Sequence, residues 1–158
     1  MGYEITDYKI TFDIDEKLKN NILLLPCDLK KEFNGEKNIL YTESSISVLK
    51  ILRKQNISAE FAVGTPADSI YIENRSIDWF GPALFFSISV LSQNPMLVSS
   101  CINIISSYVY DIFKGKSEDP NVRCSFVLED KDKNKNRHIK YEGPVSGLKN
   151  IEEILNGK

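Results

Sequence analysis

The sequence predicts an α+β fold, a single two-layer domain over residues 1–158 with a mostly antiparallel sheet built from hairpins and helices packed on one side. Three observations carry this reading. Segments with the two-residue period of a half-buried strand recur along the chain, and segments with the helical period come in clumps rather than in strict alternation with them. No Gly/Ser-rich or Pro-rich linker divides the 158 residues, and a chain of that length buries roughly two-thirds of its unfolded surface around one core.

Tyr8, Ile10, Phe12 and Ile14 alternate with Lys9, Thr11, Asp13 and Asp15, the pattern of a strand with one wet face. Leu18, Ile22 and Leu25 then fall on one helical stripe, so a helix is expected from Asp15, Glu16 and Lys17 until Pro26 stops it. Asp28 suits the cap of a short turn through Phe33, closed by Asn34 and Gly35. Residues 38–42 read as a strand. Ser44 or Ser45 can cap a helix running to about Gln55 with Val48, Ile51 and Leu52 inward, and Asn56 suits the left-handed position after it. Ile57, Ala59, Phe61 and Val63 alternate as a strand, and the loop over 64–68 has hairpin length, with the return expected over 69–73.

The most apolar part of the chain is two runs, 79–91 and 96–113, split by Ser92, Gln93, Asn94 and Pro95. Both are expected to be helices packed as a pair, because Pro82 after Gly81 and Pro95 after Asn94 stand where a helix can begin without losing a hydrogen bond. On the second, Val98, Ile102, Ile105, Val109 and Ile112 form a stripe, while Ser99, Asn103, Ser106, Ser107 and Asp111 gather on a small, polar side. Gly115 ends that helix. Val122, Cys124, Phe126 and Leu128 then alternate with Arg123, Ser125, Val127 and Glu129 as a strand, followed by a charged hairpin loop and a return strand with Ile139 and Tyr141 inward. Gly143 and Pro144 break it, and Ser146 is expected to cap a last helix with Leu148, Ile151 and Leu155 on its inner face.

Composition narrows function by exclusion. Twenty basic and twenty-two acidic residues leave a charge of -2, which supplies no field for nucleic acid. The amino terminus carries neither a basic segment nor an apolar one of the kind that directs secretion, so the cytoplasm is the expected location, and the Asn56 and Asn74 glycosylation patterns carry no meaning there. Cys27, Cys101 and Cys124 form no CxxC pair and read as buried thiols. The first apolar run is too short to span about 30 Å of hydrocarbon, and serines interrupt the second, so no membrane span is expected.

Candidate chemistry is sparse. Residues Thr11 to Leu18 resemble the first motif of haloacid dehalogenase-type phosphatases, an apolar strand ending in Asp-x-Asp. The resemblance spans eight residues and implies Asp13 as nucleophile, Asp15 as acid/base and Mg²⁺ to neutralise charge. It departs from the family at Lys17, where a Thr is expected, and at Glu16, where a Gly is expected. Asp130, Asp132 and Asn134 imitate the start of a calcium loop, but Lys135 replaces its turn glycine and Tyr141 its closing Glu. His138, the single histidine, falls on the outer side of a strand and reads as solvated.

These observations favour a non-catalytic binding or regulatory module that self-associates or binds a protein through the 96–113 helix and the aromatic pair before it. The candidate interface is Trp79, Phe80, Ser99, Asn103, Ser106, Ser107 and Tyr110. No cofactor or catalytic residue is assigned, and no small-molecule ligand. The alternatives from other classes are a metal-dependent phosphohydrolase using Asp13 and Asp15, and a peripheral membrane protein.

Overall fold

A computed structural model describes residues 2–8, 14–27, 39–72, 77–129 and 136–157. Their strands are β1 (Gly2–Tyr8), β2 (Ile22–Leu25), β3 (Ile39–Thr42), β4 (Ala59–Phe61), β5 (Ser69–Ile72), β6 (Trp79–Phe86), β7 (Asn121–Glu129) and β8 (Asn136–Pro144). Their helices are α1 (Ser45–Lys54), α2 (Ile88–Gln93), α3 (Leu97–Ile112) and α4 (Leu148–Gly157). The fold is α+β: a mostly antiparallel six-stranded sheet in the order β1-β8-β7-β6-β2-β4, with helices on one side, and a two-stranded ladder of β3 with β5.

Strands β7 and β8 form the one hairpin among the described residues, paired from Asn121 opposite Pro144 to Glu129 opposite Asn136. The two parallel pairings of the large sheet are made by crossovers instead. Strand β6 reaches β7 through α2 and α3, and β2 reaches β4 through β3 and α1, because parallel neighbours need a connection long enough to return over the sheet. The expected hairpin between the 57–63 and 69–73 strands does not form. β5 pairs with β3 in parallel, Tyr71 opposite Tyr41, leaving β4 on the edge of the large sheet.

The helix layer and the sheet share one core. Val48 and Leu52 of α1, Ile102, Ile105 and Val109 of α3, and Leu148 and Ile151 of α4 pack onto Leu24, Leu84, Phe86, Phe126 and Ile139. On the reverse face Leu23, Leu25, Ala62, Phe85 and Val127 form a second, smaller cluster, with Ile14 and Leu18 against it. The centre of the sheet is therefore buried on both faces.

That double burial explains the main corrections to the sequence reading. The run 79–91 is not one helix: Trp79–Phe86 is strand β6, and the short α2 follows. Pro82 opens no helix. It lies with Gly81 where β6 carries one residue more than β7 between Phe80 and Ala83, a bulge in which proline costs no ladder bond. The expected helix over 15–25 is a 3-10 turn, Glu16–Asn20, followed by β2, all four of whose residues are buried. Val127, expected outward, is fully buried.

The first strand is Gly2–Tyr8 rather than the expected 8–15, and Ile14 and Asp15 lie outside any strand, Asp15 instead capping the turn that follows; α1 and α3, by contrast, end where the pattern places them. Asn56 is left-handed at φ 64, just after α1. Gly115 turns the chain back after α3 at φ 84, a conformation glycine adopts without penalty. Ser146 does not cap α4 directly. It lies in a 3-10 turn, Val145–Gly147, where its amide (3.0 Å) and hydroxyl (2.6 Å) both donate to the Asp119 carboxylate. Residues 9–13 of the expected first strand, the turn over 28–35 and the loop over 130–135 lie outside the described residues.

Candidate functional site

Helix α3 lies across the sheet with α1 and α4 against it. Its inner face is core: Val98, Cys101, Ile102, Ile105 and Val109 are buried, and so are Ser99 and Ser106. Its outer face carries Asn103, Ser107 and Tyr110, all exposed. Met96, at the helix start, is 63% exposed and Tyr110, near its end, 40%. The spacing Met96, Asn103, Ser107, Tyr110 follows the helical repeat, so these residues form one stripe, small in the middle and bulky at both ends.

The structure divides the expected interface. Asn103, Ser107 and Tyr110 share this outer stripe. Ser99 and Ser106, seven residues apart and so on one flank of α3, are buried beside its apolar stripe, and small side chains fit where helices approach closely. Trp79 and Phe80 also fall away from the stripe. Adjacent residues of a strand point to opposite faces: Trp79 is buried, with Tyr108 edge-on at 6.3 Å between ring centroids, while half-buried Phe80 lies under the Arg123 guanidinium at 5.6 Å.

The stripe runs into a groove of about 680 Å³ at the carboxyl end of α3, lined by Tyr110, Asp111, Lys114, Lys116, Ser117 and Glu118. Burial, helped by the charge of Asp119, raises the Tyr110 phenol above its ordinary pKa. Two ammonium groups and two carboxylates share the rim. A mixed-charge groove of this kind suits polar contacts around a packed centre. The sequence showed Met96 as part of the apolar run only; the groove depends on the turn at Gly115.

Elsewhere the polar clusters fasten elements together. Glu129 at the end of β7 accepts from the Ile88 amide at 3.0 Å and from the Lys19 ammonium at 3.2 Å, and Glu16 holds Lys19 from the other side at 2.9 Å. Burial alone would lower the Lys19 pKa, but the two carboxylates outweigh it and the group is held above its ordinary value. Ser44 donates to the Phe80 carbonyl at 2.6 Å, and its hydroxyl joins those of Thr42 and Ser45 in a chain that ties the β3–α1 turn to β6.

Among the described residues, the groups considered for catalysis do not converge. The Asp15 carboxylate accepts from the Lys17 amide at 3.0 Å and caps a 3-10 turn on the surface, and Asp13 lies outside the described residues. Cys124 is buried on the helix side of the sheet, in register with Tyr141, whereas His138 stands opposite Val127 on the reverse face. His138 is half-buried rather than solvated; burial, with Lys140 nearby, pulls its pKa down against the opposing pull of Glu4. Cys101 and Cys124 are buried as expected, with thiols pushed up to about 12 by burial, but Cys27 is exposed. Among the described residues no group of three or more His, Cys, Asp or Glu is placed to hold a metal ion, and no helix is long and apolar enough to cross a membrane.

Comparison with protein-family models, curated proteins and solved structures finds no match to this chain.

Proposed function

We propose that this chain is a non-catalytic interaction module that docks a protein partner on the outer stripe of α3. The observation that carries the reading is the stripe itself. Asn103 and Ser107 lie exposed along a helix whose opposite face is firmly built into the core, and Met96 and Tyr110 stand at either end. Small side chains at its centre let another helix approach closely, and Met and Tyr are adaptable apolar anchors favoured in interfaces. The mixed-charge groove beyond Tyr110 supplies a polar rim. The partner chemistry that fits is an amphipathic helix with an apolar ridge.

A photoreactive residue at position 103 or 107, introduced in cells producing the chain, tests this. One defined adduct is expected from those positions and none from exposed Lys50 on α1. Tyr110→Ala is expected to reduce the adduct roughly tenfold if the ring is an anchor. Absence of an adduct, or the same products from position 50, contradicts the reading.

A further inference from the structure

Among the described residues, strand β1 is a seven-residue edge strand of the large sheet. All seven residues from Gly2 to Tyr8 pair in unbroken register with β8, from Glu142 to Asn136, and among the described residues no strand pairs with the other side of β1. The opposite edge, β4, is three residues long. Natural sheets protect their edges with short strands, prolines, charged side chains or bulges; β1 is long, has no proline, lysine or bulge, and carries only the carboxylates of Glu4 and Asp7 as charges. Its side chains add to the exposure. Tyr3 stands opposite buried Tyr141 and Ile5 opposite buried Ile139, so both lie on the core face of the sheet, yet they are 53% and 41% exposed. The core face therefore continues past the last helix-covered strand onto an open apolar ledge.

We infer that this edge pairs with β1 of a second copy of the chain, antiparallel about a two-fold axis through Ile5. An isologous contact requires a surface that complements itself, and the sequence GYEITDY does so in this register. Ile5 meets its own mate on the apolar face. Glu4, an acceptor, stands opposite Thr6 of the second copy, a donor, and symmetry makes that contact twice. Tyr3 falls opposite Asp7. Shifting the axis to Glu4 would oppose two carboxylates, and a shift by half a residue would place apolar positions opposite polar ones. Pairing joins the two six-stranded sheets into one and brings the two Ile5 side chains together on the core face, with Tyr3 of each copy diagonal to the other's Ile5. The inference is independent of the α3 stripe, which lies on another surface.

The test is the solution mass of the full chain, tagged at its carboxyl end, by light scattering across the micromolar range. A mass twice the 18.0 kDa of one chain is expected. Thr6→Glu opposes like charges twice and Ile5→Lys places two ammonium groups at the axis; each is expected to weaken the dimer roughly tenfold or more. Far-ultraviolet dichroism and the melting temperature serve as folding controls. Combining Glu4→Thr with Thr6→Glu exchanges the two partners and is expected to restore the dimer, which a merely destabilised strand would not do. A chain that stays monomeric throughout overturns the inference. So does a dimer that survives both single variants, or one abolished by Ser107→Arg on α3 instead.

Discussion

Trp79 of β6 meets Tyr108 of α3 edge to face, with ring centroids 6.3 Å apart and planes at 64°. The contact joins the central strand that the sequence disguised to the helix that carries the candidate site. Trp79 is the single tryptophan of the chain and is buried. Replacing it with Ala is expected to cost about 3–5 kcal/mol of stability, as for other buried aromatics. A double-mutant cycle with Tyr108→Ala is expected to return a coupling of about 0.5–1.5 kcal/mol for the ring pair. Denaturant unfolding measures both, and a cycle that closes at zero means the rings do not hold α3 to β6.

Gly81 makes room for that indole. A Cβ at position 81 would run into the outer edge of the Trp79 ring, with the Cys124 Cβ also only 3.2 Å away. Gly81→Ala is therefore expected to destabilise the fold by about 1–3 kcal/mol through overpacking and to shift the emission of the single tryptophan. Unchanged emission together with unchanged stability would show that the indole lies elsewhere.

Ser106 is the converse case. Its hydroxyl is buried and has no hydrogen-bond partner among the described residues. Removing an unpaired polar group from a buried site relieves its desolvation cost, so Ser106→Ala is expected to leave stability unchanged or raise it by up to about 1 kcal/mol. A clear loss in thermal unfolding would reveal a hydrogen bond at that position.

Stability should also fall in alkali. Burial raises the Cys101 and Cys124 thiols from 9.0 to about 12 and raises the Tyr41 phenol as well. The unfolded chain thus loses these protons at lower pH than the folded one. Their contribution is complete below about pH 9 and is lost as pH rises through about 12. Denaturant midpoints measured across that window should decline, and Cys101→Ala with Cys124→Ala should make the decline shallower even though it lowers stability at neutral pH. An equally steep decline in that double variant would remove the thiols as its cause.

How much of this could be read from the sequence depended on whether an element had a wet face. Strands β7 and β8, helix α1 with Asn56 behind it, and α3 up to the turn at Gly115 were all legible, because each has an exposed side that leaves a period. Strands β2 and β6 were not. Leu23 and Phe85 face the smaller cluster while Leu24 and Leu84 face the main core, so neither strand alternates in polarity, and a continuous apolar run does not distinguish strand from helix. The spacing of Leu18, Ile22 and Leu25 mimicked a helical stripe for the same reason. The candidate site was half legible. Asn103, Ser107 and Tyr110 lie outward, but Ser99 and Ser106 are buried, and a serine's polarity does not reveal which role it serves.

That division of α3 is most directly measured by cysteine scanning, with Cys27 replaced by serine and single cysteines placed at positions 99, 103, 106, 107 and 110. The rate of thiol labelling in the folded protein is the readout. Rapid labelling at 103, 107 and 110, with 99 and 106 protected until denaturant is added, is the expected result; rapid labelling at 99 or 106, or protection at 103 and 107, would place α3 differently on the sheet and remove the docking stripe.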